Sequence, residues 1–269
     1  MKGAIIGDIV GSIFEHNSLK SKVFPFFGPG CHFTDDTVCT CAVASVFTEG
    51  WNEVKDGGDY IEFLYLGLRN RLLNFGHAYP HAGYGKGYKH WLRDADPRPY
   101  TSGGNGAPMR CSPAGWITND PREAMGLGVF TAMPTHNHPG SATAAGLTAE
   151  LICMARNGAS MEELRKEASE YYTIPSLDGL RPGYTFHSSC RGTMPAALAA
   201  FFESTSFEDA VRNAVSLGGD SDTIAAITGS LAEAYWGVPD EIWAKAEAYL
   251  SDELKQVVRD FYAFAERLQ

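Results

Sequence analysis

The sequence has no C-x-x-C pair, no long apolar run, no surplus of basic residues and few strand patterns. Each absence excludes a class of protein. The six cysteines, at positions 31, 39, 41, 111, 153 and 190, show neither zinc spacing nor the density of a secreted disulfide framework, so reduced thiols are expected. No stretch approaches the roughly 18 apolar residues of a membrane span, and Asp8 interrupts the apolar N-terminal run, against a signal peptide. A cytoplasmic protein with no membrane partner is the expectation. A net charge of −10 argues against nucleic acid as the main partner, although it does not exclude a small anionic ligand. There is no internal repeat and no low-complexity tract. Period-3.6 patterns dominate, which predicts an all-α fold, a compact multi-helix domain rather than an up-down bundle.

What is present in abundance is acid at the start of apolar helices. Gly218-Gly219-Asp220-Ser221-Asp222-Thr223 leads into Ile224, Ala225, Ala226, Ile227, Leu231 and Ala232. Two glycines let the backbone turn sharply into a helix start. Phe33-Thr34-Asp35-Asp36-Thr37 leads in the same way into Val38, Cys41, Ala42, Val46 and Phe47. Either cluster alone reads as a helix cap or a solvated turn. Adjacent aspartates, however, repel one another, and a buried pair is costly unless a cation neutralises it. Two such clusters favour one shared oxygen-ligand site for hard divalent cations, and about −4 of charge suits two ions.

Gly3, Gly7 and Gly11 look at first like a dinucleotide fingerprint, but too few residues precede them for the strand it requires. At i, i+4 and i+8 they form instead a helix stripe suited to close packing. Asp8, Ser12 and Glu15 would share one helical face amid Ile5, Ile6, Ile9 and Val10, acids that need a partner such as a metal centre. Residues 17–32 read as a loop that could lie over the site as a flap, and Tyr60 to Phe75 is helical in pattern, with Phe63, Leu64, Leu66, Leu68 and Leu72. His77 to Pro113 reads as a long functional loop. Within it, Ser102, Gly103, Gly104, Asn105 and Gly106, running on to Arg110, could offer backbone N–H groups to phosphate oxygens. Asp120-Pro121-Arg122-Glu123 reads as a capping box, and Ser141 as the start of an alanine-rich helix. His136 reads either as a ligand contact or as a structural hydrogen-bonding group; no second zinc-ligand motif accompanies it and His138. Ser160, Ser206 and Ser251 read as further helix starts.

These motifs, in this order, resemble the ADP-ribosylglycohydrolases: Gly7-Asp8 with Gly11-Ser12 and Glu15, then Thr34-Asp35-Asp36-Thr37, Ser102 to Arg110, Thr135-His136, and Gly219-Asp220-Ser221-Asp222-Thr223-Ile224. They span nearly the whole chain, which implies one domain over residues 1–269. The resemblance implies an orthogonal all-α bundle with a centre of two Mg²⁺ (or Mn²⁺) held by Thr34, Asp35, Asp36, Asp220, Asp222 and Thr223. Glu15, with Asp35 and Asp36, would be catalytic, while Ser102 to Gly106 and His136 would hold the diphosphate and distal ribose. The implied activity is hydrolysis of the bond between ADP-ribose and an acceptor, on an ADP-ribosylated protein or a small ADP-ribose conjugate, by a monomer. The sequence departs from the family pattern at Gly103 and Pro108, and it has no acidic residue between Asn74 and Lys89, where arginine-specific members place one. The acceptor linkage stays open. So do an inactive ADP-ribose-binding or structural relative and a metal phosphohydrolase, which release of ADP-ribose rather than phosphate separates.

Overall fold

Glycine at every fourth position decides what helix α1 (Lys2–Gly11) can touch. In the computed structural model, which describes residues 1–54 and 60–268 and the side chains outside 50–64, this stripe lies directly on the backbone of helix Ser221–Trp236. A Cβ on Gly7 would sit 2.0 Å from Ala225 O, and one on Gly11 2.5 Å from Asp222 Cα. Gly3 and Gly229 face each other the same way, at 2.0 and 2.2 Å. No side chain fits between the two helices, so the end of one is pressed against the start of the other. Ser221 Oγ donates to Gly11 O (3.0 Å) and fastens that junction.

The remaining helices are α2 (Asp35–Val54), α3 (Tyr60–Ala78), α4 (Lys86–Arg93), α5 (Pro121–Ala132), α6 (Pro139–Arg156), α7 (Met161–Ser169), α8 (Leu177–Leu180), α9 (Cys190–Phe202), α10 (Phe207–Val215), α11 (Ser221–Trp236), α12 (Asp240–Glu247) and α13 (Asp252–Glu266). The fold is all-α. Among the described residues there is no strand, only an isolated antiparallel bridge between Gly104 and Ser189. Helix α11 is buried on every side from Ser221 to Glu233 because α1, α6, α9 and α10 surround it. One apolar cluster runs from Met1 and Ile5 through Leu147 and Phe201 to Phe261. No described helix is long and apolar enough to cross a membrane, and all six cysteines are free and buried.

Helix starts follow the expected chemistry. Ser160 and Glu163 close a capping box, Ser206 Oγ accepts from Asp209 N (3.1 Å), and Ser251 Oγ accepts from Leu254 N (3.3 Å). Asp120 caps α5 by accepting from Arg122 N, but Glu123 does not complete the box, because Thr118 Oγ1 holds its carboxylate. Helix α6 opens at Pro139 rather than Ser141, since the imidazole of His138 caps it through Gly140 N (3.0 Å). The stretch from His77 to Pro113 is not all loop. Tyr88, Trp91 and Leu92 give α4 a buried edge, a short helix hidden in the sequence by Gly85 and Gly87. Leu68 and Leu72 of α3 are buried and Leu66 is exposed, while the side chains of Phe63 and Leu64 lie outside the described residues.

The glycine stripe yields a stability test. Gly7→Ala should cost about 3 kcal/mol or more, since its methyl has only backbone to displace. Gly126→Ala, on an exposed turn of α5 where a Cβ meets open space, should stabilise by about 0.5–1 kcal/mol. Urea unfolding of the two variants measures both; equal effects would mean that α1 and α11 are not in backbone contact.

Candidate active site

Asp8 is where the site begins. It lies on α1, fully buried, and its carboxylate accepts from Thr34 N (2.9 Å), Thr34 Oγ1 (2.7 Å), Thr37 N (3.1 Å) and Thr37 Oγ1. The two N–H groups are among the orphan donors at the start of α2, so an acid on one helix caps another. The cap sets where Asp35 and Asp36 emerge. On the opposite side, Gly218 (φ +67°) and Gly219 (φ +72°) turn the chain into α11 and present Asp220 and Asp222. The hydroxyl of Ser18 accepts from Gly219 N (3.1 Å), and the ammonium of Lys20 donates to Tyr184 O (2.6 Å) and Leu217 O. The loop of residues 17–32 therefore fastens this turn rather than lying over the cavity as a flap; of it, only His32 reaches the cavity wall.

The two acidic motifs meet. Oxygens of Asp8, Asp36 and Asp222 lie within 4.8 Å of one another, as do those of Glu15, Asp220 and Asp222, so Asp222 belongs to both groups. Thr223 Oγ1 donates to Asp36 Oδ2 (3.3 Å) and Asn105 Nδ2 to Asp220 Oδ2 (2.7 Å). Asp220 occupies the N-cap position of α11 without making a side-chain cap bond, so its carboxylate serves the cluster instead. Asp36 Oδ1 is buried with no hydrogen-bond partner. Among the described residues no lysine or arginine pairs with any of these aspartates. Burial, reinforced by the neighbouring carboxylates, pushes Asp35 up to about 8 and Asp36 and Asp222 well above the ordinary carboxylate range.

Asp8 and Glu15 do not share a helical face as the spacing suggested. Helix α1 ends at Gly11, Ser12 Oγ turns back to Ile9 O (2.9 Å), and Phe14 N closes a turn on Gly11 O (2.9 Å). That turn swings half-buried Glu15 toward Asp220, and burial raises its pKa, with the Asp220 carboxylate adding to the effect.

A cavity of about 550 Å³ opens above the acids, a size suited to a nucleotide-like ligand. Its wall includes Glu15, Thr34, Asp35, Asp36, Asp220, Asp222 and Thr223 together with Ser102, Gly104, Asn105, Gly106 and His136. Gly103 is the exception among the expected site residues: it faces the His138 imidazole and is not part of the wall. The loop is also less open as a cradle than its glycines suggest. Gly104 N is bonded to Ser102 Oγ (3.1 Å) and Asn105 N to Ser188 O (2.9 Å). Glycine is needed there for another reason: a Cβ on Gly106 would come within 3.0 Å of the His136 ring. Ser141 Oγ holds the loop through Ser102 O and Gly104 O (2.8 and 3.1 Å). Sequence reasoning missed Tyr100, His81, Phe186 and Ser188 in the wall; no local pattern marks them, and only the packing of three separate loops brings them there.

An all-α fold with two aspartate-rich helix starts facing one cavity defines a class, and comparison with known proteins identifies it. The family profile of the ADP-ribosylglycohydrolases matches residues 1–268, and the chain belongs to this family. It is 29% identical over 259 residues to the ADP-ribosyl-[dinitrogen reductase] glycohydrolase of Rhodospirillum rubrum, covering 88% of this chain and 84% of that one. It is 26% identical over 296 residues to the ADP-ribosylarginine hydrolase Tri1 of Pseudomonas putida (strain GB-1), covering 97% and 76%. Among solved structures, an ADP-ribosylglycohydrolase-related protein complex superposes with a TM-score of 0.68 at 25% identity, over 98% of this chain and 97% of that one.

The raised carboxylates make stability depend on pH. The unfolded chain releases these protons near pH 4, whereas the folded chain keeps Asp35 protonated up to about 8. Folding thus takes up protons between these values, and stability falls as pH rises through them. Protein treated with chelator should melt at a lower temperature at pH 8 than at pH 5, and Asp36→Asn should shrink that difference. A melting temperature that rises over this range would overturn the reading.

Proposed function

We propose that this chain is a divalent-metal-dependent hydrolase that cleaves the bond between the anomeric carbon of ADP-ribose and an acceptor, releasing ADP-ribose. The observation that carries the metal requirement is the unpaired, buried Asp36 Oδ1 within a cluster whose aspartates, among the described residues, meet no lysine or arginine. Such a cluster fits hard cations with oxygen ligands. Thr34, Asp35, Asp36, Asp220, Asp222 and Thr223 would hold two Mg²⁺ (or Mn²⁺), with Glu15 at the rim of the second group. Asp8 accepts four hydrogen bonds from Thr34 and Thr37, so its task is to set the start of α2. Divalent ions at this position supply Lewis-acid polarisation and a more acidic water.

The side chains themselves do the rest. Loss of the acceptor passes through an oxocarbenium-like state and needs a proton on the leaving group and an activated water. Glu15, half-buried and with its pKa raised by burial, is placed to give that proton to the leaving group and to take one from the attacking water. The carboxylates of Asp35 and Asp36 stabilise positive charge that develops on the ribose ring. The loop of Ser102 to Gly106 and His136 would orient the diphosphate and distal ribose. Membership in the family and the activities named for the two relatives support the reaction class. The substrate is an ADP-ribosylated protein or a small ADP-ribose conjugate.

The deciding experiment is release of free ADP-ribose from arginine- and serine-linked ADP-ribosyl peptides, with Mg²⁺ and with EDTA. Metal-dependent release from either supports the hydrolase and identifies its linkage. Tight ADP-ribose binding without release from either peptide would replace it with a binding protein or with a hydrolase for a different acceptor. Asp35→Ala and Asp222→Ala should lose both Mg²⁺-induced thermal stabilisation and nearly all turnover. Glu15→Ala should lower kcat about a hundredfold or more while keeping most of the stabilisation. Full activity in both aspartate variants would mean the site lies elsewhere.

A further inference from the structure

Arg110 is the only lysine or arginine in the cavity wall, and it is 1% exposed, yet among the described residues it meets no carboxylate. Its Nε and Nη2 donate to Thr131 O (3.3 and 2.8 Å), and Nη2 also donates to Thr135 Oγ1 (2.7 Å). A guanidinium has donors only, so the Thr135 oxygen is the acceptor in that bond and its own hydroxyl hydrogen is left for another partner. The atom in reach is His136 Nδ1, at 2.7 Å. The opposite arrangement, with Nδ1–H donating, would make Thr135 Oγ1 accept twice and leave a buried hydroxyl hydrogen without an acceptor. Burial and the nearby guanidinium push the His136 ring down to about 3, so the imidazole is neutral.

We infer that Arg110 and Thr135 are positioning residues that hold His136 as the neutral imidazole with its proton on Nε2, giving one fixed donor for an acceptor oxygen of the ADP-ribosyl group. The identity of that ligand rests on the proposed function; the relay itself does not. The donor adds to what the loop can offer, since the N–H groups of Gly104 and Asn105 are already bonded within the protein. Gly106 keeps the ring edge clear, since a Cβ there would lie 3.1 Å from Nε2. The relay also explains a polar threonine at a fully buried position. In a neutral ring, whichever nitrogen accepts leaves the other to donate. Orienting one hydroxyl thus sets the hydrogen-bonding sense of a group on the far side of the ring.

The test is ¹⁵N NMR of the imidazoles in the full-length protein, with the His136 resonances identified by their loss in His136→Gln, alongside calorimetric titration with ADP-ribose. The wild type should show one nitrogen of His136 protonated, at Nε2. Thr135→Val should convert this to a mixture of tautomers and weaken ADP-ribose binding about tenfold, the effect of one lost oriented hydrogen bond. Thr135→Ser, which keeps the hydroxyl, should restore both. A wild-type proton on Nδ1, or an unchanged tautomer in Thr135→Val, overturns the proposal. If the wild type has the expected tautomer but does not bind ADP-ribose, the ligand half of the proposal falls with the hydrolase reading and the relay stands.

Discussion

The structure depends on the backbone contact between α1 and α11. Ordinary helix pairs stand about 8–10 Å apart because side chains fill the seam. Here Gly3, Gly7 and Gly11 remove the side chains from one surface, and Ala225 and Gly229 keep the other shallow. The consequence is positional. Gly11 is brought against Asp222, so the turn that carries Glu15 begins beside the start of α11, and Asp8, one helical turn earlier, is set to cap α2. A wider seam would separate the three groups of acids.

That arrangement stores unfavourable energy at the site. Carboxylates that share a buried volume cannot all ionise cheaply, and an unpaired oxygen such as Asp36 Oδ1 adds a desolvation cost. Proteins keep such strain where the surrounding fold over-determines it and where it serves binding. The surroundings here are correspondingly rigid: α11 is buried on all sides, Asp8 holds α2 with four hydrogen bonds, and Ser18 and Lys20 pin the turn of Gly218 and Gly219. The part of the cavity wall around His136 is built differently. It relies on neutral groups, with the single buried guanidinium of Arg110 directed at Thr131 and Thr135 rather than at the cavity acids. Charge is thus concentrated at the aspartate-bearing helix starts and hydrogen-bond direction around His136.

Much of this was legible in the sequence. The all-α class followed from periodicity, the close-packing stripe from glycine at i, i+4 and i+8, and the meeting of two aspartate clusters from their shared chemistry. The errors have physical causes. Glycines at 85 and 87 concealed the short helix α4, because only its two-turn buried edge of Tyr88, Trp91 and Leu92 stabilises it. The shared face assigned to Asp8 and Glu15 assumed that α1 continues, whereas the chain turns after Gly11. Gly103 was grouped with its neighbours by adjacency, but it faces His138.

By itself the sequence determined the residue types that reach the site and the helices that carry them, since capping, periodicity and glycine spacing are local properties of the chain. Tertiary structure alone decided which acids share an oxygen cluster, which loop N–H groups are already bonded, and that Arg110 acts through Thr135 on His136. Those facts depend on groups far apart in the chain, such as Asn105 and Asp220 or Gly104 and Ser189. Their pairing is fixed by the packing of whole helices, which no local window of sequence contains.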